Sequence, residues 1–253
     1  MPIMNSLIKI KMSDVNLSDW PLIIQDAVNN KNKFCIELES ERKLCDLCDY
    51  LYFSEGKLHF HSHDLGVMCF NFEELFLYHQ RQNYALSKEP LARALAIKGA
   101  GEKRVIWDTT CGTGKDSLLI HIFGAKLMAF ERNPAIYLLL EDALRRFPLD
   151  FKLTFGDASK LDPDHGLNDR PEVIYYDPMY PSKKKSALAR KEMRIFKDLV
   201  GEDLDSGEFL DWAMKTATER VVVKRPLEAL PVKENPTASY SGKSTRYDMY
   251  KIF

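Results

Sequence analysis

An α/β chain with a mostly parallel sheet, preceded by a small mixed β-rich α+β domain, is the fold class this sequence predicts, and two textures predict it. From about residue 86 to residue 253, short β-branched runs alternate with helical patterns of roughly 10–15 residues, as stacked βαβ units require. Before about residue 85, short alternating segments at 6–12, 33–39, 56–62 and 66–72 are separated by polar residues, the pattern of half-buried strands. The change of texture divides the chain into 1–85 and 86–253.

In the second region the strands fall at 104–108, 126–131, 151–156, 172–177 and 220–224, with 245–253 closing the chain. Helices fall between them at 117–123, at 134–147 with Pro134 in the first turn, and at 186–200. In an open parallel sheet the ligand sits beyond the carboxyl ends of the strands, so the loops after those ends are where chemistry is expected.

Composition narrows the function classes. The 253 residues carry 36 basic and 37 acidic side chains, a net charge of −1, and 45% are hydrophobic, as in an ordinary globular protein. No uncharged apolar stretch approaches the ~18 residues of a membrane span. Lys9 and Lys11 interrupt the only apolar patch near the start, making a poor signal peptide, so a cytoplasmic protein without a membrane partner is expected. With so little net charge, any nucleic-acid contact must come from a local basic patch.

Cys35, Cys45, Cys48, Cys69 and Cys111 form an odd set, which argues against a disulfide framework. Cys45-x-x-Cys48 followed by His61, His63 and Cys69 invites a zinc reading, but no second cysteine pair exists and 39–50 reads as a helix, so no metal is expected. His59 to His63 alternates like a half-buried strand, with Leu58 and Phe60 inward and the histidines outward.

The first strand of the parallel region ends in Asp108-Thr109-Thr110-Cys111-Gly112-Thr113-Gly114-Lys115-Asp116, two glycines where the chain must turn close to a ligand. A phosphate-cradling P-loop aligned on Gly114-Lys115 has Thr109 in place of its first glycine and Asp116 in place of the magnesium-binding hydroxyl, and a carboxylate there repels phosphate. A dinucleotide fingerprint starting at Gly112 needs glycine or alanine where Ser117 stands. Asp108 and Asp116 bracket the loop with negative charge, which suits the cationic S-adenosylmethionine and opposes a pyrophosphate.

Glu131, 23 residues beyond Asp108 at the next strand end, stands where an acid accepts both ribose hydroxyls of an adenosine. Asp157, followed by Ala158 and Ser159 at the third strand end, is a candidate reader of the adenine amine. Helix capping is the plainer alternative for both acids.

The fourth strand ends in Asp177-Pro178-Met179-Tyr180-Pro181. Acid-proline-x-aromatic at that place is the pattern of methyltransferases acting on planar NH2 groups. The lone pair of such an amine is delocalised into the ring, so the site must orient it and accept its N–H hydrogens. Asp177 and the Pro178 carbonyl are the candidate acceptors, and Tyr180 the candidate stacking ring.

From Lys183 to Asp198 the chain carries seven basic and two acidic side chains, a local charge of +5. Ala189, Met193, Phe196 and Val200 repeat at helical spacing, which leaves Arg190, Arg194 and Lys197 as a basic stripe beside Lys183, Lys184 and Lys185. With Lys224 and Arg225 at the fifth strand end and Lys243 and Arg246 near the last strand, these make a candidate phosphate track for RNA.

Together these segments resemble the bacterial RNA small-subunit methyltransferase J family, which methylates guanine N2 in 16S ribosomal RNA. The match rests on 108–116, 131–134, 177–181, 185–188, 191–194, 199–201 and 221–226, and spans about 88–253. The resemblance implies a class I, Rossmann-like S-adenosylmethionine-dependent methyltransferase fold, that donor, and 16S ribosomal RNA or the small ribosomal subunit as partner. It maps donor contacts to Lys115, Asp116, Glu131, Arg132, Ala158, Ser159 and Asp177. Two other readings stay open on the residues alone: an adenine-N6 DNA methyltransferase, and a non-catalytic RNA-binding assembly protein with a degenerate donor pocket.

Overall fold

The computed structural model describes residues 8–12, 25, 36–40, 49–99, 101, 103–160, 170–179, 191–200 and 206–253. The chain separates into two compact units, neither of them a single stretch of sequence. One comprises Met1–Phe72, Asn133–Leu149 and Ser182–Gly201, and the other Glu73–Arg132, Asp150–Pro181 and Glu202–Phe253.

The first unit holds strands β1 (Ile8–Met12), β2 (Ile36–Ser40), β3 (Tyr50–Ser54), β4 (Lys57–Ser62) and β5 (Gly66–Met68) in the order β2-β1-β3-β4-β5. β1 runs parallel to β2 and β3, while β3, β4 and β5 are successively antiparallel, so the sheet is mixed as expected. Glu55 and Gly56 join β3 to β4 with φ of 53° and 74°. Two successive positive φ values are what a two-residue type I′ hairpin turn requires.

Along β4 the expected alternation is observed, with Leu58, Phe60 and Ser62 buried and Lys57, His59 and His61 half-buried. His61 stacks on Tyr50 at 4.6 Å and His59 on Tyr52 at 5.0 Å, so these histidines serve as cross-strand ring partners. Glu39 and Ser40 end β2 and Tyr50 begins β3, which corrects the helix expected over 39–50 at both its ends. Cys45 and Cys48 lie outside the described residues.

The sequence after strand β7 (Lys126–Glu131) starts a helix, Pro134–Arg146, that belongs to the first unit. Its N-terminus is specified locally: Asn133 accepts from the N–H groups of Ala135 and Ile136, and Pro134 fills the first turn, where no amide donor is needed. Asp142, fully buried on this helix, accepts from the Leu58 amide at 3.0 Å and pairs with Arg145 and Arg146. A second helix, Lys191–Val200, lies against β5, with Ile195 and Phe196 buried and Arg194 and Lys197 exposed. Of the predicted 189–193–196–200 row, Phe196 is buried and Met193 and Val200 are half-buried, while Ala189 lies outside the described residues; Ile195 is buried beside them.

In the second unit β6 (Val105–Asp108), β7, β8 (Lys152–Phe155), β9 (Val173–Tyr176) and β10 (Arg220–Pro226) form a parallel array in the order β8-β7-β6-β9-β10. β12 (Thr245–Lys251) pairs antiparallel with β10, and β11 (Ala238–Ser241) with β12. Period-two geometry sorts the side chains into two cores. Ile106, Val173, Tyr175 and Val222 join the cluster under helices α2 (Pro90–Leu95) and α3 (Lys115–Ile122), while Trp107, Ile174, Tyr176, Val221 and Val223 join Leu210 and Ala213 of α6 (Ser206–Thr216). The remaining helices are α1 (Phe72–Gln80), α4, the Pro134–Arg146 helix, and α5, the Lys191–Val200 helix.

Such two-sided burial, worth about 1.5–3 kcal/mol per large side chain, explains why β6, β9 and β10 read as continuous apolar runs. Chain order reverses between β6 and β9, and their carboxyl ends bracket the cleft of a doubly wound sheet. Among the described residues no helix is long and apolar enough to cross a membrane.

Candidate active site

The glycine turn is held from inside. Gly112 and Gly114 have φ of 57° and 73°, a conformation that side chains rarely adopt, and the Gly114 amide closes the turn onto the Cys111 carbonyl at 2.8 Å. Thr109 binds the Tyr175 carbonyl through both its amide and its hydroxyl, tying the tip of β6 to β9. Asp108 is fully buried. Its Oδ1 accepts from the Thr110 amide at 3.1 Å and its Oδ2 from the Ser117 hydroxyl at 2.5 Å.

Burial pushes the Asp108 carboxyl up to about 7; the Ser117 and Thr110 donors oppose this, while Asp116 and Asp177 add to it. The Cys111 thiol, also buried, is pushed well above its ordinary value by desolvation and then by Asp108. Asp108 was expected to touch the donor. In the structure Thr110 and Ser117 meet its carboxylate inside the turn.

Glu131 and Asp157 are likewise anchored. Glu131, 6% exposed at the end of β7, accepts from the Gly112 amide at 2.9 Å, and its own carbonyl accepts from the Gly156 amide at 2.9 Å. Asp157 caps the short 3-10 turn Ala158–Lys160, accepting from the amide and hydroxyl of Ser159. Asp157 thus makes capping bonds, and Glu131 supports the glycine turn. Lys115 and Arg132 are exposed and Ala158 is buried.

On the other side of the turn the carboxylates meet a cation. Lys224 Nζ, from β10, lies 2.7 Å from Asp116 Oδ2 on α3 and 2.9 Å from Asp177 Oδ2 beyond β9. Tyr175 donates its hydroxyl to Asp116 Oδ2 at 2.6 Å, and the Asp177 amide donates to Thr110 Oγ1 at 2.7 Å. Burial opposes the charge on Lys224, but Asp116 and Asp177 outweigh it and raise its pKa. The nearby Tyr247 hydroxyl is pushed up to about 12, chiefly by burial and then by Asp116.

Both cations at the end of β10 that were read as RNA contacts have partners within the protein. Lys224 is engaged by two carboxylates, and Arg225 donates to the Leu230 carbonyl. Arg246 is held by Asp248 and by the carbonyls of Leu227 and Ala229. Lys243 is exposed, as is Arg194 on α5. Tyr180, Lys183, Lys184, Lys185 and Arg190 lie outside the described residues, while Pro178 is buried and Met179 half-buried. Sequence reading passed over Ser117 and Tyr175 as site residues. The signal for Ser117 was a hydroxyl in the first turn of a helix that otherwise buries leucines and isoleucines.

A family model described as "Putative SAM-dependent methyltransferase" matches residues 36–252. A protein named ribosomal RNA small subunit methyltransferase J from Haemophilus ducreyi is 41% identical over 195 residues, covering 74% of this chain and 77% of the relative. Its namesake from Aeromonas hydrophila is 38% identical over 195 residues, covering 74% and 78%. The chain belongs to the ribosomal RNA small subunit methyltransferase J family.

A crystal structure of a SAM-dependent methyltransferase from Neisseria gonorrhoeae, 26% identical, superposes with a TM-score of 0.69 over 97% of this chain and 96% of the other. The protein is thus an S-adenosylmethionine-dependent methyltransferase of class I fold, as the resemblance implied. The donor set of this family member suits that cofactor. Acids stand at the ends of β7, β8 and β9, and Gly156, at φ 132°, has nothing within 4 Å of where a Cβ would stand. Carboxylates accept hydroxyl and ammonium hydrogens, as the donor's ribose and amino groups require.

Proposed function

We propose that the enzyme methylates the exocyclic N2 amine of a guanine in 16S ribosomal RNA, with that RNA or the small ribosomal subunit as its cytoplasmic partner. The observation that carries this reading is the fixation of Asp177 from two sides: its amide is tied to Thr110 in the glycine turn, and its carboxylate to Lys224. An acceptor held in this way at the carboxyl end of β9 suits a flat, weakly nucleophilic amine, which must be aimed and relieved of an N–H hydrogen. The name carried by the relatives supports ribosomal RNA as the source of that amine.

Bound S-adenosylmethionine supplies an electrophilic methyl group on a sulfonium. Glu131 takes the ribose hydroxyls, and the residues from Asp157 to Ser159 border the adenine. Lys115, Asp116 and Arg132 border the rest of the donor. Asp177 and the Pro178 carbonyl accept the amine hydrogens, and Tyr180 stacks on the extracted base. Lys183, Lys184, Lys185, Arg190 and Arg194 engage phosphates. Residues 86–253 carry the methyl-transfer chemistry, and the N-terminal region 1–85 contributes the five-stranded mixed sheet.

The test is incorporation of labelled methyl into small-subunit particles from a strain lacking the protein, with duplex DNA as the competing substrate and nucleoside mass spectrometry as readout. N2-methylguanosine from the particles is the expected product; methyladenine in DNA overturns the substrate assignment. Asp177→Ala should lower the single-turnover rate by about 10²–10⁴-fold while calorimetry still detects the donor.

A further inference from the structure

Resting on the acceptor role given to Asp177, we propose that Lys224 is a positioning residue that keeps this carboxylate ionised and aimed, rather than a contact for RNA phosphate. Its ammonium joins three elements at one atom. Nζ comes from β10, Asp116 from the first turn of α3, and Asp177 from the tip of β9, at 2.7 and 2.9 Å. The Lys224 side chain is only 22% exposed, so the cation is directed inward.

Removing that charge leaves two carboxylates that both reached one point within hydrogen-bond distance. Like charges so close disfavour joint ionisation, and one of the pair draws a proton. Tyr175 also donates to Asp116, and that bond goes to whichever carboxylate oxygen remains an acceptor. A protonated Asp177 loses an acceptor for the amine. Among the described residues, Asp108 at the end of β6 and Tyr247 on β12 also face this cluster.

The experiment uses the full-length enzyme and its Lys224→Gln, Lys224→Arg and Asp116→Asn/Lys224→Gln variants. Single-turnover methylation of small-subunit particles is followed from acid to alkaline pH at saturating donor, with RNA affinity measured at two salt concentrations. Lys224→Gln should be slowed by roughly 10²-fold near neutrality and recover as pH rises, because base restores the Asp177 acceptor. Lys224→Arg should retain most of the rate. The double variant, relieved of the competing carboxylate, should return the acid limb of the profile toward that of the wild type, and it keeps the test readable should Lys224→Gln alone not fold.

RNA affinity and its salt dependence should stay unchanged in all variants. Weaker RNA binding with a salt slope reduced by about one, at an unaltered pH profile, makes Lys224 a phosphate contact and overturns the inference. A pH-independent loss shared by the double variant overturns it too. A wild type inactive on the particles sinks the substrate reading itself, an outcome distinct from either of these.

Discussion

Asp108 and Asp116 stand at the two ends of one glycine turn, and the fold treats them oppositely. Asp108 is sealed among neutral donors, the Ser117 hydroxyl and the Thr110 amide, and its carboxyl is pushed up to about 7 by burial. Asp116 faces Lys224 and Tyr175. The same contrast runs along the sheet rim. On the β6–β7–β8 side the acids brace backbone, with Glu131 on Gly112 and Asp157 on Ser159. On the β9–β10 side they share a cation. A side chain's chemistry is therefore set by the partner the topology brings to it, and the motif that contains it does not decide the matter.

The sharpest way to break this contrast is through Glu131, which does both jobs, supporting Gly112 and, as proposed, taking ribose hydroxyls. Glu131→Gln keeps the shape but weakens hydrogen bonds to a charged acceptor, each worth about 1.5–3 kcal/mol. Donor affinity should fall roughly 10- to 100-fold by calorimetry. An unchanged affinity would confine Glu131 to bracing the turn.

A smaller effect separates Asp108 from its ionised neighbours. Its folded-state pKa, about 7, lies above that of the unfolded chain, so the native state holds a proton that the unfolded state releases. Stability must then decline as pH rises from about 4 to about 7, by at most ~1.4 kcal/mol per pH unit. Asp108→Asn keeps an acceptor for the Thr110 amide without the charge. Urea unfolding across that range should show the variant gaining on the wild type as pH rises, and parallel curves would remove Asp108 from the buried, neutral-partner class.

Much of this was legible beforehand for a physical reason. β7 was read at its observed bounds, and β6, β9 and β10 within one or two residues, because strands buried on both faces need uninterrupted apolar side chains. Two strands that depend on pairing, β3 and β11, have no such signal. β11 is the polar segment Ala238–Ser241 and exists by its ladder with β12, while β3 begins at Tyr50, where the stretch 39–50 that reads as a helix ends. The acids at the strand tips were visible, but their partners were not. Lys224 reads as a free cation after three valines until the sheet brings Asp116, 108 residues away, beside it.

Ser117 offers the smallest and most local probe of the same contrast. Its hydroxyl is one of two donors holding the Asp108 carboxyl down against desolvation, and it also lies 3.3 Å from Cys111 Sγ. Ser117→Ala removes that donor without altering the backbone of α3, so the Asp108 pKa should climb further. The sign follows directly. Where Asp108 is protonated, below about pH 5, the loss is that of one ordinary hydrogen bond, about 1 kcal/mol. Above pH 7 the wild type benefits more, because the bond then goes to an ionised acceptor, and the loss should grow toward about 2 kcal/mol. A destabilisation of equal size at pH 5 and pH 8 would mean that the serine fills space beside Cys111 rather than steadying the charge on Asp108.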